Sequence, residues 1–69
     1  MELIVNGELR QFSEQGVTMT VRDLLIALHY LGKRVAVEHN GEIVPRSAHE
    51  QHLLHAGDRL EIVVAVGGG

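Results

Sequence analysis

Cysteine is absent from this 69-residue chain. No disulfide can staple it, and no thiol can serve as a nucleophile or soft metal ligand. Aromatics are scarce: Phe12 and Tyr30 are the only two, too few for a platform on which bases could stack. There is no basic excess either. Six Lys and Arg stand against nine Asp and Glu, a formal net charge of −3, which argues against nucleic acid as a partner. No apolar run reaches the ~20 residues needed to cross a bilayer. The start, Met1-Glu2-Leu3, lacks the basic region of a signal peptide. The expectation is a soluble, cytoplasmic protein with no nucleic-acid and no membrane partner. Glycines occur, but no Gly-x-x-x-x-Gly-Lys pattern is present to cradle phosphate.

The chain's apolar content, 45%, must therefore hold one small domain together. A domain of this size buries only about 60% of its unfolded surface. Its core rarely supplies more than ~3–5 kcal/mol. Little room remains for an enclosed active site, which favours a carrier or binding module over a self-contained enzyme.

Local patterns divide the chain clearly. Leu3-Ile4-Val5, Asn6-Gly7 and Glu8 to Phe12 predict a β-hairpin, because Asn-Gly suits both positive-φ positions of a type I′ turn. Leu3 and Val5 share one face of the first strand and Ile4 points the other way. Ser13 to Thr18 is a polar connection. Thr20 is a helix N-cap, with Asp23 as the acidic partner of a capping box and Met19 and Leu24 placed as a hydrophobic staple. Val21, Leu24, Leu25, Leu28 and Leu31 form one apolar stripe. Gly32 is the expected stop, followed by Lys33 and Arg34. Val35 to His39, Asn40-Gly41 and Glu42 to Val44 predict a second hairpin, which Pro45 ends. Ser47 to Ala56 is expected to be a loop or short helical turn anchored by Leu53 and Leu54. Gly57-Asp58 leads into a last strand, Arg59 to Val66. There Leu60, Ile62, Val64 and Val66 share one face, and Arg59, Glu61, Val63 and Ala65 the other.

Hairpin, helix, hairpin and final strand make an α+β chain of β-grasp type. The expectation is a mixed four- to five-stranded sheet curved around one helix, with the last strand returning to the middle. The domain is expected to span residues 1–66, with a flexible tail at 67–69.

That tail, Gly67-Gly68-Gly69, carries the strongest functional hint. Glycines weaken strands and cannot hold a helix. Without Cβ atoms they can thread a channel too narrow for side chains, and the Gly69 carboxylate stays open to attack. One reading makes the terminus the working group; the other makes it a disordered end or linker.

The whole chain resembles the ThiS family, the ubiquitin-like sulfur carriers of thiamine biosynthesis. The resemblance rests on the Asn6-Gly7 hairpin, the helix opening Thr20-Val21-Arg22-Asp23-Leu24-Leu25, and Val35-Ala36-Val37 leading to Asn40-Gly41-Glu42-Ile43-Val44-Pro45-Arg46. It is completed by Gly57-Asp58-Arg59-Leu60-Glu61-Ile62-Val63 running into the glycine tail. Two departures are His49, where many relatives have a large aromatic, and His39, where a small or apolar residue is more usual.

The resemblance implies a carrier that is a substrate of partner enzymes rather than a catalyst. Gly69 would be adenylated by a ubiquitin-activating-like adenylyltransferase, with ATP and Mg²⁺ belonging to that partner. Sulfur from a cysteine desulfurase route would then displace AMP, and the thiocarboxylate would pass to thiazole synthase. Gly67 and Gly68 would give the slender approach. Ile4, Val63 and Ala65 are expected to join in an apolar docking patch if the last strand lies beside the first, although singly exposed apolar residues are ordinary. Alternatives are the small subunit of molybdopterin synthase, whose family is usually longer, a protein modifier joined to lysine, and an interaction module with an inert tail.

Other constellations weigh less. His49, His52 and His55 would line one edge of a 3₁₀ turn, with Glu50 nearby, as metal ligands do. The plainer reading is a solvated loop, and no bound metal or cofactor is expected. Ser47 near His49 has no evident oxyanion hole. Arg46 is either a steering charge for a partner or a plain surface charge.

Overall fold

The computed structural model describes residues 1–12 and 18–65. The Ser13–Val17 part of the connection and Val66 to Gly69 lie outside the described residues, and with them the expected boundary between domain and tail. The described residues form β1 (Glu2–Val5), β2 (Glu8–Gln11), β3 (Met19–Thr20), α1 (Val21–Ala27), β4 (Val35–His39), β5 (Glu42–Val44), a 3₁₀ turn (Arg46–Ala48), β6 (Leu53–Leu54) and β7 (Arg59–Val64).

Five strands form one mixed sheet in the order β2-β1-β7-β4-β5. β7 is central. It runs parallel to β1, with Ile4 opposite Arg59 and Val5 opposite Leu60, and antiparallel to β4 from Val35–Val64 to His39–Leu60. The expected hairpins are present. Asn6 and Gly7 have φ of 51° and 82°, and Asn40 and Gly41 of 52° and 89°, both pairs in the left-handed region that a type I′ turn requires.

The core follows from strand alternation and one helical face. Leu3 and Val5 of β1, Leu60 and Ile62 of β7, Val37 of β4 and Val44 of β5 are buried together with Val21, Leu24 and Leu25 of α1. Met19 and Leu54 complete this cluster. Burying such a side chain contributes roughly 1.5–3 kcal/mol, so in a domain this small each core residue carries a large share of net stability.

α1 starts where the capping box predicts. The Thr20 hydroxyl accepts from the Asp23 N–H at 3.1 Å, and the Asp23 carboxylate accepts from the Thr20 N–H at 2.9 Å. The first helical N–H groups, which have no intrahelical partner, find carbonyls in the second half of the chain. Val21 N–H donates to the His52 carbonyl at 3.0 Å and Arg22 N–H to the His49 carbonyl at 2.9 Å.

Two local expectations need correction. The helix ends at Ala27, with Leu28 as its cap, rather than continuing through Leu31 to Gly32. His29 turns left-handed at φ 64°. Its N–H donates to the Ile26 carbonyl and the Tyr30 N–H to the Leu25 carbonyl, at 3.0 and 2.8 Å. This is a Schellman closure with histidine where glycine is usual. Leu31 consequently leaves the stripe and is exposed. The Ser47–Ala56 segment does open in a short helical turn, the 3₁₀ turn at Arg46–Ala48, but it also contains a strand that was not expected. Its Leu53–Leu54 strand pairs with Met19–Thr20, which buries Leu54 but leaves Leu53 exposed.

Candidate functional site

The end of β7 leads directly towards the glycine tail. Gly67, Gly68 and Gly69 lie outside the described residues, which end at Ala65, the root of the tail. There the Ala65 N–H donates to the Arg34 carbonyl at 2.9 Å, which ties the root of the tail to the segment before β4.

The three expected docking residues do not make one patch. Val63 is exposed on the outer sheet face, opposite Ala36 of β4, with Ala65 two positions on and also exposed. Ile4 is opposite Arg59, four residues from Val63, or about 13 Å along a strand. The last strand does lie beside the first, but the parallel register puts Ile4 at the far end of β7. Ile4 is half-buried and faces Leu9 of β2. Glu61 and Glu38, paired across β7 and β4, separate this spot from Val63. Ile43, exposed and opposite Glu38, is an apolar side chain of this face that strand alternation in Glu42-Ile43-Val44 could have exposed from sequence.

The histidines also separate. His49 is buried, and its Nε2 bonds the Val44 carbonyl at 3.2 Å. It therefore packs into the interior where a larger ring was expected. His55 is exposed. His52 Nε2 lies 2.8 Å from His39 Nδ1, and His39 Nε2 lies 2.6 Å from the Asp58 carboxylate. The Asp58 carboxylate also accepts from the Asn40 side chain at 3.3 Å and from the His55 N–H at 2.8 Å. Burial pushes the Asp58 carboxyl up. The bonds from His39, the His55 backbone and Asn40, together with the charge on His39, outweigh burial and hold it below its ordinary 3.8. The Asp58–His39–His52 chain has the order of an acid–base relay, but each bond joins two chain segments: β4, the 46–56 segment and the turn before β7. It acts as a polar staple. His39 thus has a structural reason to replace an apolar residue. Among the described residues no group of three or more His, Asp or Glu is arranged to hold a metal ion.

Sequence reasoning also missed a second role for the two turn asparagines. The Asn6 side chain accepts from the Ile62 N–H at 2.7 Å and donates to the Ile62 carbonyl at 3.1 Å. The Asn40 side chain accepts from the Arg59 N–H at 2.9 Å. Both turns thereby grip β7, the strand that carries the tail.

One cavity lies close to the tail's root. It has a volume of about 240 Å³ and lies between the end of α1 and the Pro45–His49 turn, with Lys33, Arg34 and Arg46 among its lining. No helix among the described residues is long and apolar enough to cross a membrane.

A helix over a mixed five-stranded sheet, with the last strand central and parallel to the first, defines a β-grasp, ubiquitin-like domain. Its solved neighbours include the crystal structure of a thiamine biosynthesis protein (ThiS) from Geobacter metallireducens, 34% identical with a TM-score of 0.79, each chain covered in full. A solution structure of a thiamine biosynthesis protein from that organism gives 34% identity and a TM-score of 0.81 over all of this chain and 88% of the other. The ThiS family model matches residues 3–69, and the chain belongs to the ThiS family. Two curated relatives are named thiazole synthase. That of Paramagnetospirillum magneticum is 49% identical and that of Magnetococcus marinus 35%, each over all 69 residues. The chain spans 20% of the length of either relative.

Proposed function

We propose that this chain is a sulfur carrier for thiazole formation in thiamine biosynthesis. The observation that carries this reading is a family match running through the glycine tail to residue 69. A carboxylate is a poor electrophile because its charge is spread over two oxygens. In the proposed cycle a ubiquitin-activating-like adenylyltransferase uses ATP and Mg²⁺ to convert the Gly69 carboxylate to an acyl-adenylate. A persulfide from a cysteine desulfurase route then forms the C–S bond as the bond from the acyl carbon to the AMP oxygen breaks. A thiol cleaves the S–S bond of the resulting acyl disulfide, leaving as a disulfide with the sulfur donor. The resulting thiocarboxylate holds its charge on a soft nucleophilic sulfur and is delivered to thiazole synthase. The two relatives named thiazole synthase, each containing a region similar to this chain, support that last partner.

In this reading the chain is a substrate of its partners, in the cytoplasm, and binds no cofactor of its own. Gly67 and Gly68 let Gly69 enter an active site elsewhere. Val63 and Ala65, with Ala36, supply an apolar docking face beside the tail, while Ile4 belongs to the separate spot with Leu9.

The test is the intact mass of the full chain after incubation with ATP, Mg²⁺, the activating enzyme of its own organism and a sulfur donor. Replacement of one oxygen by sulfur is expected, and its loss in a Gly69-deleted variant. An unchanged mass, with the enzyme active on another carrier, refutes the proposal. Adducts to lysine would instead indicate a protein modifier.

A further inference from the structure

We infer that the cavity beside the tail's root is a socket for an acidic side chain of the protein that handles the tail. This rests on the carrier reading. The chain has six Lys and Arg in all and a net charge of −3. Three of the six, Lys33, Arg34 and Arg46, line this one cavity, and no Asp or Glu does. Among the described residues none of the three makes a salt bridge. The charge lining this cavity is thus opposite in sign to that of the whole chain.

The fold builds this feature deliberately from two segments. The left-handed His29 ends α1 early, and after half-buried Tyr30 the chain leaves Leu31 to Arg34 exposed. Pro45 and the following 3₁₀ turn bring Arg46 against them. Buried Leu25 and half-buried Tyr30 give the cavity an apolar portion. A bare inorganic anion would meet the cations and leave that portion unfilled. A carboxylate carried on a peptide with an apolar neighbour satisfies both, and arginine is well suited to bind it in charge-assisted pairs. The place identifies the partner. The Arg34 carbonyl accepts from the Ala65 N–H, so an enzyme that closes over the tail passes this rim. Exposed rim charges act mainly on encounter and its salt dependence.

The experiment compares the full chain with an Arg34→Glu, Arg46→Glu double variant, an Arg34→Lys, Arg46→Lys double variant and Arg10→Glu, a control on β2. Each is checked for an unchanged fold by its amide spectrum and assayed as substrate of the activating enzyme by pyrophosphate release. Charge reversal is expected to raise KM for the carrier at least tenfold with kcat within twofold, and to abolish the fall of kcat/KM with salt. The lysine variant keeps wild-type behaviour. A reversed variant indistinguishable from Arg10→Glu overturns the inference. If the wild-type chain is not adenylated at all, the carrier reading fails, and a second measurement decides the socket. The isotope-labelled full chain is titrated with a peptide of alternating Glu and Leu, with its Gln counterpart, and with inorganic phosphate. Saturable shifts at Gly32–Val35 and Arg46–His49 with the acidic peptide alone, lost on charge reversal, support the socket. No saturable shift, or equal shifts with phosphate, overturns it.

Discussion

Substituting Asn6 dissects the grip that the first turn holds on β7. β1 ends at Val5, and beyond it the Asn6 side chain extends the parallel ladder by bonding both the N–H and the carbonyl of Ile62. Removing it leaves two backbone groups of the central strand without that partner. At about 1 kcal/mol per hydrogen bond, the loss is roughly 2 kcal/mol. The backbone adds a separate cost. Asn6 has φ 51°, and a left-handed conformation costs an ordinary L-residue about 1–2 kcal/mol. Asn6→Ala is therefore expected to lose about 3–4 kcal/mol, against a core that rarely supplies more than ~3–5 kcal/mol. Asn6→Gly relieves the backbone and is expected to lose about 2 kcal/mol. Asn6→Asp keeps the acceptor and the tolerance for positive φ but turns a second oxygen towards the Ile62 carbonyl, so it should be less stable than Asn6→Gly despite its near-identical shape. Urea unfolding followed by far-ultraviolet circular dichroism measures all three. A loss below about 0.5 kcal/mol for Asn6→Ala, the range of an ordinary surface change, or equal losses for Ala and Gly, would refute this reasoning.

Further expectations concern the cap, the staple and the docking face. Thr20→Ala should cost about 1 kcal/mol, and a double-mutant cycle with Asp23→Ala should show the two losses to be less than additive, because they share one box; additivity would count against it. Asp58 is more acidic in the folded state than its ordinary 3.8. Its contribution is complete above that value and is lost as pH falls through the folded value. Stability should therefore decline on acidification below about pH 4, and Asp58→Asn should lower the neutral plateau and flatten that limb; an unaltered acid limb would exclude the assignment. Val63 is 65% exposed, so Val63→Asp should change stability by no more than about 0.5 kcal/mol while raising KM with the activating enzyme. Ile4→Asp should have the smaller effect on KM, and a larger effect from Ile4 would place docking at the other end of β7.

Features set by neighbours in the chain were legible beforehand. Asn6-Gly7 and Asn40-Gly41 mark their turns because few residues tolerate two successive positive φ angles. Thr20 and Asp23 mark the helix start because the box closes within four residues. The helix end was misplaced because Gly32 is the usual left-handed residue, whereas His29 took the conformation and the Schellman bonds secured it. The short β3–β6 pair escaped notice because a two-residue strand carries no periodicity.

The turns, the helix start and the alternation of apolar faces follow from residues only a few positions apart, and the make-up of the tail is a matter of composition alone. Tertiary structure alone decided the register of β7. Through that register it decided that Ile4 stands apart from Val63, that Asn6 reaches Ile62 across 56 positions, and that His39 finds Asp58 across 19. It also gathered Lys33, Arg34 and Arg46 around one cavity. A side chain's local preference says which conformation it favours but not which distant donor or charge will lie beside it. That choice is made only when the sheet closes, because sliding the central strand by one residue would exchange its buried and exposed faces.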